Sequence, residues 1–163
     1  MKRLILMRHA KSDWSGGASS DHERILNPRG RAAATALGDW LRDKTLIPDQ
    51  VLCSSAMRTK ETCVRLELPA NVNVTYLRPL YLASADVILN TLRSAKGDSI
   101  LMIGHNPGIA MMAEAILTTE PDHPQFMQYP TGATLVADFD IANWTQAGWG
   151  KAITRHFVVP RDL

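Results

Sequence analysis

Four apolar residues, Leu4-Ile5-Leu6-Met7, run without interruption into Arg8-His9. A short continuous apolar segment of this kind reads as a strand buried on both faces, as in a parallel α/β sheet. Its abrupt change to two basic side chains marks the carboxyl end of the strand, where open α/β sheets hold their ligands. The segment therefore constrains both the architecture and the place where function is to be sought. What matters next is which other residues reach the same edge.

The segments that follow alternate in type. Residues 11–26 are polar and rich in Gly and Ser, a long loop leaving the strand that ends in Arg8-His9, and so able to line or cover a site there. Asn27-Pro28 opens a helix, with Asn as N-cap and Pro at the first helical position; Ala32, Ala33, Ala36, Leu37, Trp40 and Leu41 supply its apolar face. Gln50–Ser54 reads as a second buried strand, followed by a helix of about Ala56 to Leu66. Asn73–Leu77 is a third strand. A helix over Ser84–Ala95, capped by Ser84, carries Val87, Ile88, Thr91 and Leu92 on one face, with Gly97 as its stop. Ser99–Gly104 is a fourth strand, and Ile109–Leu117 an apolar helix that Pro107 precedes. Residues 118–132 form an irregular connection, and 133–139 and 152–159 are strands with no helix between them. Alternation up to about residue 117, then a helix-free pair, predicts one domain over residues 1–163: a three-layer α/β/α fold with a mostly parallel sheet and one antiparallel strand.

Charge and composition exclude several classes. A net charge of +2, with Lys and Arg scattered along the chain, does not fit a nucleic-acid-binding protein. The apolar run behind Lys2-Arg3 is too short for a signal peptide, and no stretch is long enough to cross a membrane, so the cytoplasm is the expected location. Cys53 and Cys63 form no metal-ligand spacing and read as buried structural thiols. No Asp/Glu cluster accompanies the histidines, so neither a metal nor another cofactor is expected.

Three strands end in basic or small polar residues: Arg8-His9, then Ser54-Ser55-Ala56-Met57-Arg58, then Gly104-His105-Asn106-Pro107. If those strands are parallel, two arginines and two histidines meet at one edge. Such a group cannot share a small dry site without an anion, and guanidinium forks match phosphate oxygens. A helix beginning near Pro107 would add backbone N–H groups to the same anion. His9 is the candidate nucleophile, attacking phosphorus through a neutral ring nitrogen while its other nitrogen donates to a carbonyl. Arg8, Arg58 and His105 are the candidate donors to the phosphoryl oxygens. Asn106, and Lys11 and Ser12 on the loop, are further candidate binding residues. His22, His123 and His156 have no such placement and read as structural or surface, and the four tryptophans as packing residues.

The segment Leu6-Met7-Arg8-His9-Ala10-Lys11-Ser12 resembles the Arg-His signature of the histidine phosphatase superfamily, in the version of its SixA-type phosphohistidine phosphatases. The resemblance extends through Leu26-Asn27-Pro28-Arg29-Gly30, Cys53-Ser54-Ser55-Ala56-Met57-Arg58-Thr59 with Glu61-Thr62, and Gly104-His105-Asn106-Pro107-Gly108, and covers Lys2 to about Val159. It implies a phosphoglycerate mutase-like fold, His9 as the phosphorylated nucleophile, Arg8, Arg58 and His105 as the phosphate pocket, and no metal. The chain departs from many members after the third strand, where Leu77–Ala83 holds no Asp or Glu to act as general acid. An ester needs its alkoxide protonated, whereas phosphohistidine leaves through nitrogen. Asp13 or Glu23 on the long loop remains available as a proton source. The reading expected from all this is a phosphohistidine phosphatase acting on a partner protein. The alternatives are a phosphatase of small phosphate esters or metabolites, and a non-catalytic module that docks a phosphorylated partner.

Overall fold

The computed structural model describes all 163 residues, Met1–Leu163. Six strands form one sheet: β1 (Lys2–Arg8), β2 (Gln50–Ser54), β3 (Asn73–Leu77), β4 (Ser99–Gly104), β5 (Thr134–Phe139) and β6 (Ala152–Val158). Their order is β3-β2-β4-β1-β5-β6. β1 pairs in parallel with β4, β4 with β2 and β2 with β3, while β5 runs antiparallel to both β1 and β6. The sheet is therefore mostly parallel with a single reversed strand, as the missing helix between the last two strands predicts.

Four helices cover it: α1 (Pro28–Asp43), α2 (Met57–Arg65), α3 (Ala85–Leu92) and α4 (Gly108–Ile116). The alternating residues of β1 divide the core. Ile5 and Met7 pack with Leu37 and Leu41 of α1 and Cys63 of α2, whereas Leu4 and Leu6 pack with the apolar residues of α3 and α4. The result is the three-layer, phosphoglycerate mutase-like α/β/α arrangement. Cys53 and Cys63 are both buried free thiols in the first of these clusters.

Two helix faces are rotated from the sequence expectation. The buried face of α1 is Gly30, Ala34, Leu37, Gly38 and Leu41, with Ala32 exposed. Its glycines, which carry no apolar side chain to read, are the points of closest approach. A Cβ on Gly30 would lie 1.9 Å from the Lys11 carbonyl oxygen, and one on Gly38 2.3 Å from that of Leu66. In α3, Ile88, Leu89 and Leu92 are buried and Val87 is exposed; the helix ends at Leu92, and Gly97, at φ +104°, serves the turn into β4 instead. Asn27 and Ser84 do cap their helices, accepting from Gly30 N and Val87 N.

The topology creates the site. β1 and β4 are neighbours, yet the chain leaves β1 for α1 on one face and β4 for α4 on the other, which opens a crevice at their carboxyl ends. Register completes the alignment: Arg8 lies opposite Gly104, and Cys53 and Met7 both lie opposite Ile103. The residues that follow β1, β2 and β4 thus emerge side by side.

Candidate active site

A cleft of about 320 Å³ lies at this edge, lined among others by Arg8, His9, Lys11, Ser12, Arg58, His105 and Asn106. All seven sequence candidates thus border one cavity. They are not equally available to a ligand.

His9 is 5% exposed, and its Nδ1 lies 2.7 Å from the Ala10 carbonyl oxygen. A carbonyl can only accept, so Nδ1 carries the proton and the Nε2 lone pair is free. The peptide frame is held by His9 N donating to Gly104 O and Gly132 N donating to His9 O. Ala10 N donates to Thr62 Oγ1, tying the strand end to α2. Burial pushes the imidazole pKa down to about 3, and His105, Arg58 and Arg8 act in the same direction against the Ala10 bond. At neutral pH the ring is therefore uncharged.

His105, 2% exposed, stands beside it with ring centroids 5.4 Å apart. Its Nε2 is 2.7 Å from Ser54 Oγ, and Ser54 Oγ also accepts from Ala56 N. When the hydroxyl proton goes to Nε2, the ring's own proton sits on Nδ1, which is buried and has no partner. Burial, with Arg58 next, holds this pKa down to about 3 as well.

The arginines follow the same pattern. Arg8 Nη1 donates to Tyr129 O at 3.2 Å; Arg58 Nη1 and Nη2 donate to Asp21, to its main-chain oxygen at 2.8 Å and to its carboxylate at 3.0 Å. Both Nε groups are buried and unpaired. Buried donors without acceptors are rare because each loses its hydration for nothing. Here Arg8 Nε, Arg24 Nε and Arg58 Nε, joined by His105 Nδ1 in the tautomer that takes the Ser54 proton, all belong to residues lining one cavity, a donor set that suits an anion.

Three of the remaining candidates are qualified by the structure. Asn106 spends its amide N–H groups on Gln128 O and Tyr129 O and presents an unpaired Oδ1. Ser12 Oγ accepts from Arg24, while Lys11 is exposed at the rim. α4 contributes no residue to the lining, and its Ile109 N is taken by His105 O, so the anion site stops at Asn106.

The long loop supplies what the sequence left unread. Ser12 and Leu26 bridge across its base, and a short turn at Asp21–Glu23 lies against Arg58. Asp21 accepts from Arg58, Arg24 and the Tyr81 hydroxyl, and these contacts, Tyr81 first, hold its carboxyl far below the usual range. Asp13 and Glu23 do not line the cleft; Asp13 is occupied by the Ser15 N–H and hydroxyl. Arg24 has its own buried, unpaired Nε and lies 3.6 Å under the Trp14 ring, which is 75% exposed rather than packed in a core. After β3, where an acid is absent, Tyr81 stands edge-on to His105. His22 bonds Ser55 and packs on Tyr81, His123 pairs with Asp162, and His156 packs on Trp40, all structural roles. Trp144 is buried, but Trp149 is exposed.

An uncharged, oriented imidazole and a set of cationic donors lining one cleft suit the handling of a phosphoryl group. Comparison with known proteins gives the family. The model of the histidine phosphatase superfamily (branch 1) matches residues 4–80. An uncharacterised protein of Mycobacterium leprae is 32% identical over 164 residues, which span 95% of this chain and 100% of that one. A Nakamurella multipartitia structure described as phosphohistidine phosphatase SixA superposes with a TM-score of 0.85 at 29% identity, over 98% of this chain and 96% of its own. An Agrobacterium tumefaciens structure described likewise gives 0.80 at 25% identity, over 98% of each chain. This chain belongs to the histidine phosphatase superfamily, in its SixA-type branch, and is a phosphatase.

Proposed function

We propose that the substrate is a phosphohistidine carried by a partner protein, hydrolysed in the cytoplasm without a metal ion and through a phosphorylated His9. The observation that carries this reading is the His9 ring, uncharged and with Nδ1 committed to Ala10 O. The Nε2 lone pair attacks phosphorus in line. The P–N bond of the substrate breaks, its electron pair goes to the departing ring nitrogen, and a proton on that ring's other nitrogen lets it leave as neutral imidazole. Water then attacks the phosphorus on His9, the P–Nε2 bond breaks, and the water proton leaves with phosphate or to solvent. Arg8 Nε, Arg58 Nε and His105 Nδ1 follow the charge that grows on the phosphoryl oxygens.

A nitrogen leaving group is favoured by the acids present. Asp21 is the one carboxylate lining the cleft, and it is held ionised, so it has no proton to give an alkoxide. The test is turnover of a phosphohistidine-bearing protein in the presence of chelator, by the wild type and by His9→Ala. Loss of turnover in the variant, with acid-quenched label trapped on His9 of the wild type, is expected. Retained activity in the variant overturns the proposal, and a much higher kcat/KM on sugar or nucleotide phosphates assigns the site to small esters.

A further inference from the structure

Beside the phosphoryl cleft lies a second one, of about 230 Å³, between the start of α1, the Pro130–Thr131 turn and the C-terminal turn. Lys11 and Thr131 line both, so the two are continuous. The second cleft adds Arg29 and Arg161 and contains no acidic residue. Ten of the 18 Lys and Arg residues pair with no carboxylate, and Lys11, Arg29 and Arg161 are the three of these that line this one cleft. Together the two clefts hold six of the chain's 18 Lys and Arg residues but one of its 16 Asp and Glu, leaving 12 basic and 15 acidic residues for the rest. The small net charge conceals a strongly positive face.

The packing fixes the backbone that carries these three exposed side chains. Gly30 presses α1 onto the Lys11 carbonyl, which sets Arg29 beside it. Gly132, at φ +78°, leaves room for Pro160, since a Cβ there would come 2.5 Å from its Cγ; its N–H also donates to His9 O. The C-terminal turn with Arg161 is thereby latched to the same backbone that frames the nucleophile. A transferring phosphoryl group neutralises the first cleft only. The second still faces solvent with unpaired cations close enough to share a wall with it.

We propose that Arg29, Arg161 and Lys11 form a second anion subsite, which binds a further carboxylate or phosphate carried by the same substrate as the phosphoryl group. The inference rests on the phosphatase reading of the first cleft, but its first test does not. Calorimetry compares inorganic phosphate with a series of α,ω-alkane bisphosphonates of increasing length. A member long enough to reach both clefts is expected to bind about tenfold tighter than phosphate, because its second group binds at raised effective concentration. The Arg29→Gln/Arg161→Gln double variant is expected to lose that gain and keep its affinity for phosphate. No gain at any length, or a gain that survives the substitutions, overturns the subsite whether or not the enzyme acts on phosphohistidine. Kinetics then separate the sources of the anion. A rise in KM on a phosphohistidine peptide flanked by acidic residues, with a neutral counterpart and kcat unchanged, assigns the subsite to acidic side chains of a partner protein. The same rise confined to a small bisphosphate assigns it to a metabolite. Equal losses on every substrate overturn it.

Discussion

The two central histidines are buried uncharged, so acidification should unfold this protein earlier than its carboxylates alone dictate. In the native state His9 and His105 have pKa values of about 3, against an ordinary 6.5. Between these limits the unfolded chain binds protons that the folded one refuses. Stability therefore rises with pH across the window from about 3 to 6.5 and is lost as pH falls through it. At about pH 5, some 1.5 units below the unfolded value, each histidine has withdrawn about 2 kcal/mol, or about 4 kcal/mol for the pair, at about 1.4 kcal/mol per unit. That is a large part of a typical folding free energy of about 5–15 kcal/mol. The carboxylates that are held low, Glu61, Asp138 and Asp162 among them, have ordinary values of 3.8 to 4.5 and contribute mainly at lower pH. The assay is urea unfolding near pH 8 and near pH 5 for the wild type and His9→Ala. The cavity left by the substitution costs the same at both pH values, so the difference between the two losses isolates protonation. The wild type should lose about 2 kcal/mol more than the variant, and the smaller contribution from His156, whose pKa burial also lowers, cancels. Equal losses would mean that the folded protein accepts a proton on His9 near pH 6.5, and the uncharged nucleophile would be lost with it.

Other perturbations probe the pocket and its frame. Asp21→Asn removes a negative charge that shares Arg58 and Arg24 with the incoming anion, so the affinity for tungstate, read by calorimetry, should rise about tenfold. Arg58→Lys keeps the charge but removes the buried Nε donor; kcat should fall on the order of 10²–10³. Gly30→Ala forces a methyl group toward the Lys11 carbonyl, and a loss of about 3 kcal/mol in urea unfolding is expected, with unchanged stability refuting the close approach.

The fold was readable where local rules and the packing agree. Uninterrupted apolar strands, Asn27-Pro28 and Ser84 as helix starts, and the absence of a helix between the last two strands predict the layers and the one reversed strand. The helix faces are less legible, for a physical reason. Apolar periodicity marks where side chains are buried, whereas α1 approaches its neighbours through Gly30 and Gly38, where there is no side chain. In α3 the choice between Val87 and Leu89 depends on the orientation of the whole helix against Leu80 and Ile109, which no local pattern contains.

The site divides in the same way. Arg8 ends a buried strand, His9 and His105 directly follow one, and Arg58 lies in the first turn of the helix after one, so parallel pairing alone aligns them. Asp21 and Arg24 lie in a loop with no period, 13 and 16 residues beyond Arg8, and reach the cleft only because the Ser12–Leu26 bridge folds that loop back. Their role follows from the problem that exposed the first four. Cations gathered in a small site repel one another and lose hydration unless an anion joins them. Within the chain that anion is Asp21, held by Arg58 and Arg24 and by the Tyr81 hydroxyl. It meets the Nη groups of Arg58 and leaves Nε, with Arg8 Nε and His105 Nδ1, unpaired. The carboxylate thus steadies the cationic cluster without filling the hole that a phosphoryl group would occupy. An acid serving in that way must stay ionised, so the contacts that let Asp21 balance the pocket also withdraw it from service as a proton donor.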